Sequence, residues 1–316
     1  MKIVFLDALT LGEDIDLSSF NELGGIEVYP TSTREQILQR TRDCDVVITN
    51  KLKLNRDTLA NAEKLKLICV TATGYDNIDI EFARQRKIGV CNVVGYSTDN
   101  VAQITVGFAL DLMNRMTEYR RSVSSGDYSR RGVANILTPT YHEISGKTWG
   151  IIGLGNIGKR VASVAQALGC KVIVNKRSPV EDFECVDIDT ICRESDIISV
   201  HTPLNDGTRN LIDASAVSKM KDGAILINVA RGAVTDEKAI AEAVKSGKLG
   251  GFACDVYSTE PFGEEHPFYE IKDMDNVILT PHMAWGSYEA RVRLCDEVKK
   301  NIIAFFEEEI RNRIDL

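Results

Sequence analysis

Histidine is scarce in this chain: the 316 residues hold four. Acid–base chemistry near neutral pH therefore has few candidate side chains. Paired cysteines are missing as well. Cys44, Cys69, Cys91, Cys170, Cys185, Cys192, Cys254 and Cys295 are scattered, none falls in a CxxC pair, and most sit inside apolar runs. That pattern argues against a metal knot or a disulfide framework and predicts free, buried thiols in a reducing compartment, with no metal site expected. Positive charge is not in excess either. The net charge of -8 argues against nucleic acid or an anionic membrane as the main partner. No apolar run is long enough to span a bilayer. Met1 to Asp7 reads as a first strand rather than a secretory signal, so a cytoplasmic location is expected.

What remains is globular. A hydrophobic content of 44% and a charged content of 27% suit a soluble protein. The length allows a large core and predicts two domains.

The rest of the chain is organised around Thr148 to Pro179. Trp149, Ile151, Ile152 and Leu154 form a short apolar run suited to a strand buried on both faces. It runs into Gly153-Leu-Gly155-Asn156-Ile157-Gly158, after which Ile157, Val161, Val164, Ala165 and Leu168 fall at helical spacing. Gly169 ends that helix, and a second strand begins at Lys171. A GxGxxG triplet between strand and helix is where dinucleotide binding needs it. The first glycine makes the turn, the second admits a pyrophosphate, and the third lets the helix lie close to the strand. The helix N-terminus then faces the phosphates. An ordinary glycine-rich turn is the plainer alternative.

One further absence bears on the cofactor. No carboxylate stands at the end of the second strand, where one would bind the adenosine ribose of NAD; Asn175, Lys176, Arg177 and Ser178 stand there instead. Two cations and a hydroxyl can hold a 2′-phosphate, so NADP(H) is favoured over NAD(H), which stays possible. A solvated basic pair is the alternative.

Elsewhere, short strands are expected at Ile3 to Leu6, Val46 to Thr49, Leu67 to Thr71 and Gly89 to Asn92. Helices are expected at Arg34 to Arg42, Asp57 to Ala62 and Ile78 to Arg86. This alternation predicts a second parallel sheet. Ala72-Thr73-Gly74-Tyr75 follows one of these strands, and its N–H groups could receive a carboxylate. A long helix is expected from the Ser97-Thr98-Asp99 cap to about Met116, then an exposed loop over 121–146 with short helical pieces. Four later strands, Ile197 to His201, Ile225 to Val229, Gly251 to Val256 and Val277 to Thr280, each end in polar residues: His201-Thr202-Pro203, Ala230-Arg231-Gly232, Asp255 to Glu260, and Pro281-His282. An amphipathic helix is expected from Tyr288 to Glu309.

Of the four histidines, His142 lies in the loop and His266 in a polar, surface-like stretch with Glu264 and Glu265. His201 and His282 each follow a strand. His282 is the better acid–base candidate, because Glu260 is also at a strand end and a carboxylate on one imidazole nitrogen makes the other a proton donor. Arg231 offers a forked cation for a substrate carboxylate and its keto oxygen. Taken singly, each has a plainer reading: a surface ion pair, a solvated acid, a helix cap.

Arg231 in Asn228-Val-Ala-Arg-Gly232, Glu260 in Asp255-Val-Tyr-Ser-Thr-Glu-Pro261, and His282 in Thr280-Pro-His282 resemble the signatures of D-isomer-specific 2-hydroxyacid dehydrogenases. Gly146-Lys-Thr148, His201-Thr-Pro-Leu204 and Ala72-Thr-Gly-Tyr-Asp-Asn77 extend the likeness over almost the whole chain. Within the family, Gly95-Tyr-Ser-Thr98 and His282-Met-Ala-Trp285 are similar to hydroxypyruvate reductases, also called D-glycerate dehydrogenases. The resemblance implies an α/β fold of two Rossmann-like or flavodoxin-like domains with doubly wound parallel sheets and a cleft between them. It implies a substrate domain of residues 1–98 and 286–316 and a dinucleotide domain of residues 99–285.

By resemblance, Arg231 clamps a small 2-oxoacid substrate such as hydroxypyruvate or glyoxylate, His282 is the acid–base and Glu260 supports it. Asp255 holds the nicotinamide amide, and Thr73, Gly74 and Tyr75 take the substrate carboxylate. His201, Thr202, Pro203 and Ala230 join the cofactor set, and the assembly is a homodimer. The alternatives are a D-lactate or phosphoglycerate type of dehydrogenase, or a dinucleotide-sensing corepressor; the chain's running only to Leu316 weighs against the phosphoglycerate type. Lys176 departs from the acidic residue of NAD-using members. Asn100 and Tyr128 stand where Ser and Trp are more usual, which touches substrate fit and the dimer loop.

Overall fold

A computed structural model describes residues 1–178 and 180–316, so Pro179, the end of the glycine-rich stretch, lies outside the described residues. The chain divides into two compact units, residues 1–97 with 286–316 and residues 98–285.

The first unit is built on a five-stranded sheet. Its strands are β1 (Lys2–Phe5), β2 (Gly25–Val28), β3 (Val46–Thr49), β4 (Leu67–Val70) and β5 (Gly89–Cys91), with helices α1 (Arg34–Arg40) and α2 (Ile80–Arg86) between them. The spatial order is β2-β1-β3-β4-β5 and every pairing is parallel, which is the flavodoxin-like order. β3 and β4 are buried at every position, as a sheet covered on both faces requires. The expected strands appear with ends moved by a residue or so. β2 has no counterpart among the expected strands: it is an edge strand with three of its four residues exposed, so it carries no apolar signal. The helix expected over Asp57 to Ala62 is a set of turns instead. Asn55 Oδ1 accepts the N–H groups of Asp57 at 3.0 Å and Thr58 at 3.1 Å, and this local side-chain bonding replaces a helical start.

The second unit opens with α3 (Thr98–Asn114), α4 (Met116–Ser124) and α5 (Asp127–Arg131). Then come β6 (Thr148–Ile152), α6 (Asn156–Ala167), β7 (Lys171–Asn175), β8 (Glu184–Cys185), α7 (Ile188–Glu194), β9 (Ile197–Val200), α8 (Ala214–Lys219), β10 (Ala224–Asn228), α9 (Glu237–Lys245), β11 (Leu249–Cys254) and β12 (Val277–Leu279). The seven-stranded sheet has the order β12-β11-β10-β9-β6-β7-β8, again parallel throughout. Strand order reverses between β6 and β9, and ligands of such sheets bind beyond the carboxyl ends of the strands at that switch point. Two core clusters, one around Phe252 and Ile198 and one around Trp149 and Ile151, cover its faces. The last helix, α10 (Tyr288–Phe306), packs against β4 in the first unit.

All eight cysteines are free, and all but Cys185 are buried, as their apolar settings predicted. Among the described residues no helix is long and apolar enough to cross a membrane.

Candidate active site

The glycine turn sits at the switch point of the seven-stranded sheet. β6 and β9 run in register, Ile152 beside Val200, so Gly153 and His201 leave the sheet side by side. Gly153 has φ +93, and a Cβ there would lie 2.7 Å from Thr202 N and 2.8 Å from the His201 carbonyl carbon. Only glycine fits that turn. Gly155 is the N-cap of α6, and a Cβ there would meet nothing within 4 Å, which leaves open space at the helix N-terminus. Gly158 packs so closely that a Cβ would come within 2.2 Å of the Gly153 oxygen. A tight turn, an open approach and a close helix are the three features that a bound pyrophosphate asks of this loop, so the residues fit a dinucleotide. Asn156 and Ile157 form the first turn of α6.

At the end of β7, Asn175 turns its amide inward to the Val186 carbonyl at 2.9 Å. Arg177 and Ser178 are exposed and Lys176 is half-buried, so the cationic side of this cluster faces water.

His201 is held by a short chain of bonds. Trp149 Nε1 donates to Ser199 Oγ at 2.9 Å, and His201 Nε2 lies 3.0 Å from the same hydroxyl. Burial of the ring pushes its pKa down to about 3. A ring that stays neutral across the physiological range is no proton donor, which leaves the acid–base role to another histidine. Thr202 and Ala230 are half-buried and Pro203 is exposed at neighbouring strand ends.

The other three candidates lie at the ends of β10, β11 and β12. His282 Nδ1 is 2.6 Å from Glu260 Oε2. Glu260 Oε1 accepts the Tyr257 N–H at 2.9 Å, so both carboxylate oxygens are engaged. His282 is a non-glycine residue with φ +54, a conformation that the surrounding turn must hold. Asp255 holds it. Its Oδ1 accepts from Thr280 Oγ1 at 2.6 Å and from Met283 N at 2.8 Å, while Oδ2 accepts from Ala284 N at 2.9 Å. Burial raises the pKa of Asp255, and these hydrogen bonds oppose that rise. Asp255 thus builds the His282 turn, a task its place in the sequence did not reveal.

Arg231 leaves β10 through a turn shaped by Asn228, a fully buried side chain. Asn228 Oδ1 accepts Ala230 N at 3.1 Å and its Nδ2 donates to the Arg231 carbonyl at 3.0 Å. Arg231 Nη1 donates to the Ala230 carbonyl at 2.8 Å. The Glu260–His282 pair also borders a cavity of about 480 Å³, with Tyr257, Phe262, Leu279 and Lys272 among its walls.

One expectation about histidine is overturned. His266 is not a surface residue: it is 7% exposed, under Tyr257, Phe262 and Phe268. The flanking Glu264 and Glu265 point outward, and their polarity hid the aromatic spacing that gives the burial away.

Thr73, Gly74 and Tyr75 lie in the first unit, beyond β4. Thr73 Oγ1 donates to the Val93 carbonyl at 2.8 Å, and Asn92 Nδ2 donates to the Thr73 carbonyl at 2.7 Å. Thr73 and Tyr75 are exposed and Gly74 is half-buried. Asn100, in α3, donates to the Ala284 carbonyl at 2.6 Å and so braces the far side of the His282 turn. Tyr128 bonds the Ala134 carbonyl at 3.1 Å.

A family model for the D-isomer specific 2-hydroxyacid dehydrogenase NAD binding domain matches residues 106–284. The chain belongs to this family. A glycerate dehydrogenase of Methylorubrum extorquens is 36% identical over 315 residues, covering 99% of both chains. A glyoxylate reductase of Thermococcus litoralis is 38% identical over 285 residues, covering 88% of this chain and 85% of the relative. Among solved structures, the acyclic imino acid reductase Bsp5 in complex with NADPH and D-Arg superposes with a TM-score of 0.86 at 30% identity, covering 99% of this chain and 100% of that one. The chain is therefore an oxidoreductase of the 2-hydroxyacid dehydrogenase type that uses a nicotinamide dinucleotide.

Proposed function

We propose that this dehydrogenase reduces a small 2-oxoacid, hydroxypyruvate first and glyoxylate second, to the D-2-hydroxyacid, and that it prefers NADPH. The observation that carries the chemistry is the 2.6 Å contact between His282 Nδ1 and Glu260 Oε2. With Glu260 accepting from Nδ1, the protonated ring carries its second proton on Nε2. His282 Nε2 gives that proton to the oxygen that becomes the hydroxyl. The bound nicotinamide supplies the hydride. Arg231 neutralises the carboxylate of the 2-oxoacid and polarises its keto oxygen with a forked guanidinium. Thr73, Gly74 and Tyr75 offer main-chain N–H groups to the same carboxylate.

For the cofactor, Gly153, Gly155, Asn156, Ile157 and Gly158 hold the pyrophosphate, and Lys176, Arg177 and Ser178 take the 2′-phosphate. His201, Thr202, Pro203, Ala230 and Asp255 line the nicotinamide end. The NADPH complex of the imino acid reductase supports the phosphate reading for a chain of this fold. Named activities of the two relatives support the substrate class. In this reading residues 1–98 with 286–316 serve the substrate, residues 99–285 serve the dinucleotide, and the working protein is a cytoplasmic homodimer.

The test is the initial rate with hydroxypyruvate, comparing NADPH with NADH at equal concentration. NADPH is expected to give the higher kcat/KM by about 10-fold or more, the effect of about 1.4 kcal/mol from charge-assisted phosphate bonds. A rate confined to NADH would remove Lys176 and Arg177 from the cofactor site. No turnover of either 2-oxoacid with either cofactor would overturn the substrate assignment.

A further inference from the structure

The dipeptide Tyr257–Ser258 bonds Glu260 directly and lies against chain close to His282 and Arg231. Tyr257 N–H holds Glu260 Oε1 at 2.9 Å. Tyr257 Oη donates to the Thr280 carbonyl at 2.8 Å, two residues before His282. Its backbone also fills the space beside Arg231: a Cβ on Gly232 would lie 2.0 Å from the Tyr257 carbonyl carbon and 2.2 Å from Ser258 N. One turn of backbone therefore sets where Glu260, His282 and Arg231 stand relative to one another.

That turn has an anchor. Glu237, 9% exposed at the start of α9, accepts the Ser258 N–H at 2.7 Å through Oε1 and the Ser258 hydroxyl through Oε2. His266 Nε2 lies 3.0 Å from Glu237 Oε2, within ion-pair distance though not aligned as a hydrogen bond. His266 Nδ1 accepts from Phe268 N at 3.2 Å, so the proton of the neutral ring sits on Nε2, facing the carboxylate. The imidazole is wedged against Phe262 and Phe268, with ring centroids at 4.9 and 5.1 Å. A carboxylate buried this far is costly unless its oxygens are satisfied. Here both oxygens are spent on one residue of the Glu260 turn. None of this is needed to close the sheet or to start α9, whose first-turn N–H groups are already capped by Asp236.

We infer that Glu237, backed by His266, is a positioning residue for the reaction. It clamps Ser258, and through the Tyr257–Ser258 backbone it holds Glu260 on His282 Nδ1. The inference rests on the acid–base reading of Glu260 and His282. The charged and titratable groups around His282 are Glu260 and Asp255 on the neighbouring turns, and Tyr257, Lys272 and Asp273 in the walls of the same cavity.

The test is a double-mutant cycle between Glu237→Gln and Glu260→Gln, with Ser258→Ala as a second, milder way to release the clamp. Cofactor Kd is measured beside it by nucleotide fluorescence. Glu237→Gln and Ser258→Ala are each expected to lower kcat by about 10-fold or more, part of the ~10²–10⁴-fold that acid–base catalysis contributes. Cofactor Kd should stay within about 2-fold, and the fall of rate with pH should move toward that of Glu260→Gln. In the Glu260→Gln background, Glu237→Gln should change kcat little, because the clamp acts through Glu260.

Multiplicative effects in the double variant, or a wild-type pH profile in both single variants, would overturn the inference while leaving the acid–base reading intact. A Glu260→Gln enzyme with unchanged kcat and pH profile would overturn both. Should Glu237→Gln fail to fold, Ser258→Ala carries the same cycle, since it removes only a hydroxyl from an exposed residue.

Discussion

At the residue scale, the proposed chemistry depends on two contacts of unequal character. Arg231 should bind charge, while Glu260 should act only through His282. Arg231→Ala is therefore expected to raise the KM for the 2-oxoacid and lower kcat together, with kcat/KM down by about 10²-fold or more, as for loss of a positioned charge donor. A loss confined to cofactor affinity would take Arg231 out of the substrate site. Glu260→Gln should leave the KM nearly alone. Reduction takes its proton from His282 Nε2 on a ring that the carboxylate holds in place, so kcat should fall by about 10-fold or more; an unchanged kcat would count against the pair. Arg231, Glu260 and His282 stand out in the sequence because each follows a strand end, but position alone leaves each a plainer reading, and their proposed roles come from the family resemblance. Asn228 was not legible there: its work is to bond the Ala230 N–H and the Arg231 carbonyl, and an amide buried for backbone bonding leaves no mark in composition. Asp255 was legible as a candidate, but the three bonds it gives the His282 turn were not.

At the element scale, legibility followed burial. Strands covered on both faces, such as β3, β4 and β9, read as apolar runs. The edge strand β2 and the two-residue β8 did not. Helices α7, α8 and α9 carry no expectation above, yet each begins with a side-chain cap, Asp187, Asp213 and Asp236, that accepts first-turn N–H groups. The segment after α10 was unreadable by period because it is not a regular element. It lies along β5 through Ile314 N to the Val90 carbonyl and Asn92 N to the Asn312 carbonyl. Asp315 fastens it, accepting from Val90 N and from Arg313 Nε, each at 2.7 Å. Although burial pushes the other way, the Arg313 bond and the Val90 N–H leave the Asp315 pKa below its ordinary 3.8. A lowered carboxylate adds stability that is complete above 3.8 and is lost as pH falls through the folded-state value. Asp315→Ala should cost about 1–3 kcal/mol at pH 7 in urea unfolding of the first unit. The gap from the unaltered protein should narrow as pH drops below 3.8. An equal gap at both ends of that range would mean that packing, not ionisation, fastens the segment.

At the scale of the whole molecule, the two units differ in how the chain makes them. The unit of residues 98–285 is one continuous stretch of sequence that contains the two core clusters named above, whereas the other is assembled from residues 1–97 and 286–316. A segment that owns its core should fold alone. Residues 98–285 expressed by themselves are therefore expected to unfold in one cooperative transition and to bind the dinucleotide. Cofactor at about 100 times its Kd should then add roughly 2.7 kcal/mol of stability, seen as a rise in Tm. The fragment keeps Arg231, Glu260 and His282 but lacks Thr73, Gly74 and Tyr75, so on the proposed division of labour it should bind cofactor and yet fail to reduce hydroxypyruvate. Turnover at the full rate would make the first unit dispensable for substrate and move the whole reaction into the second. A fragment without a cooperative transition would mean that this unit is stable only within the full chain.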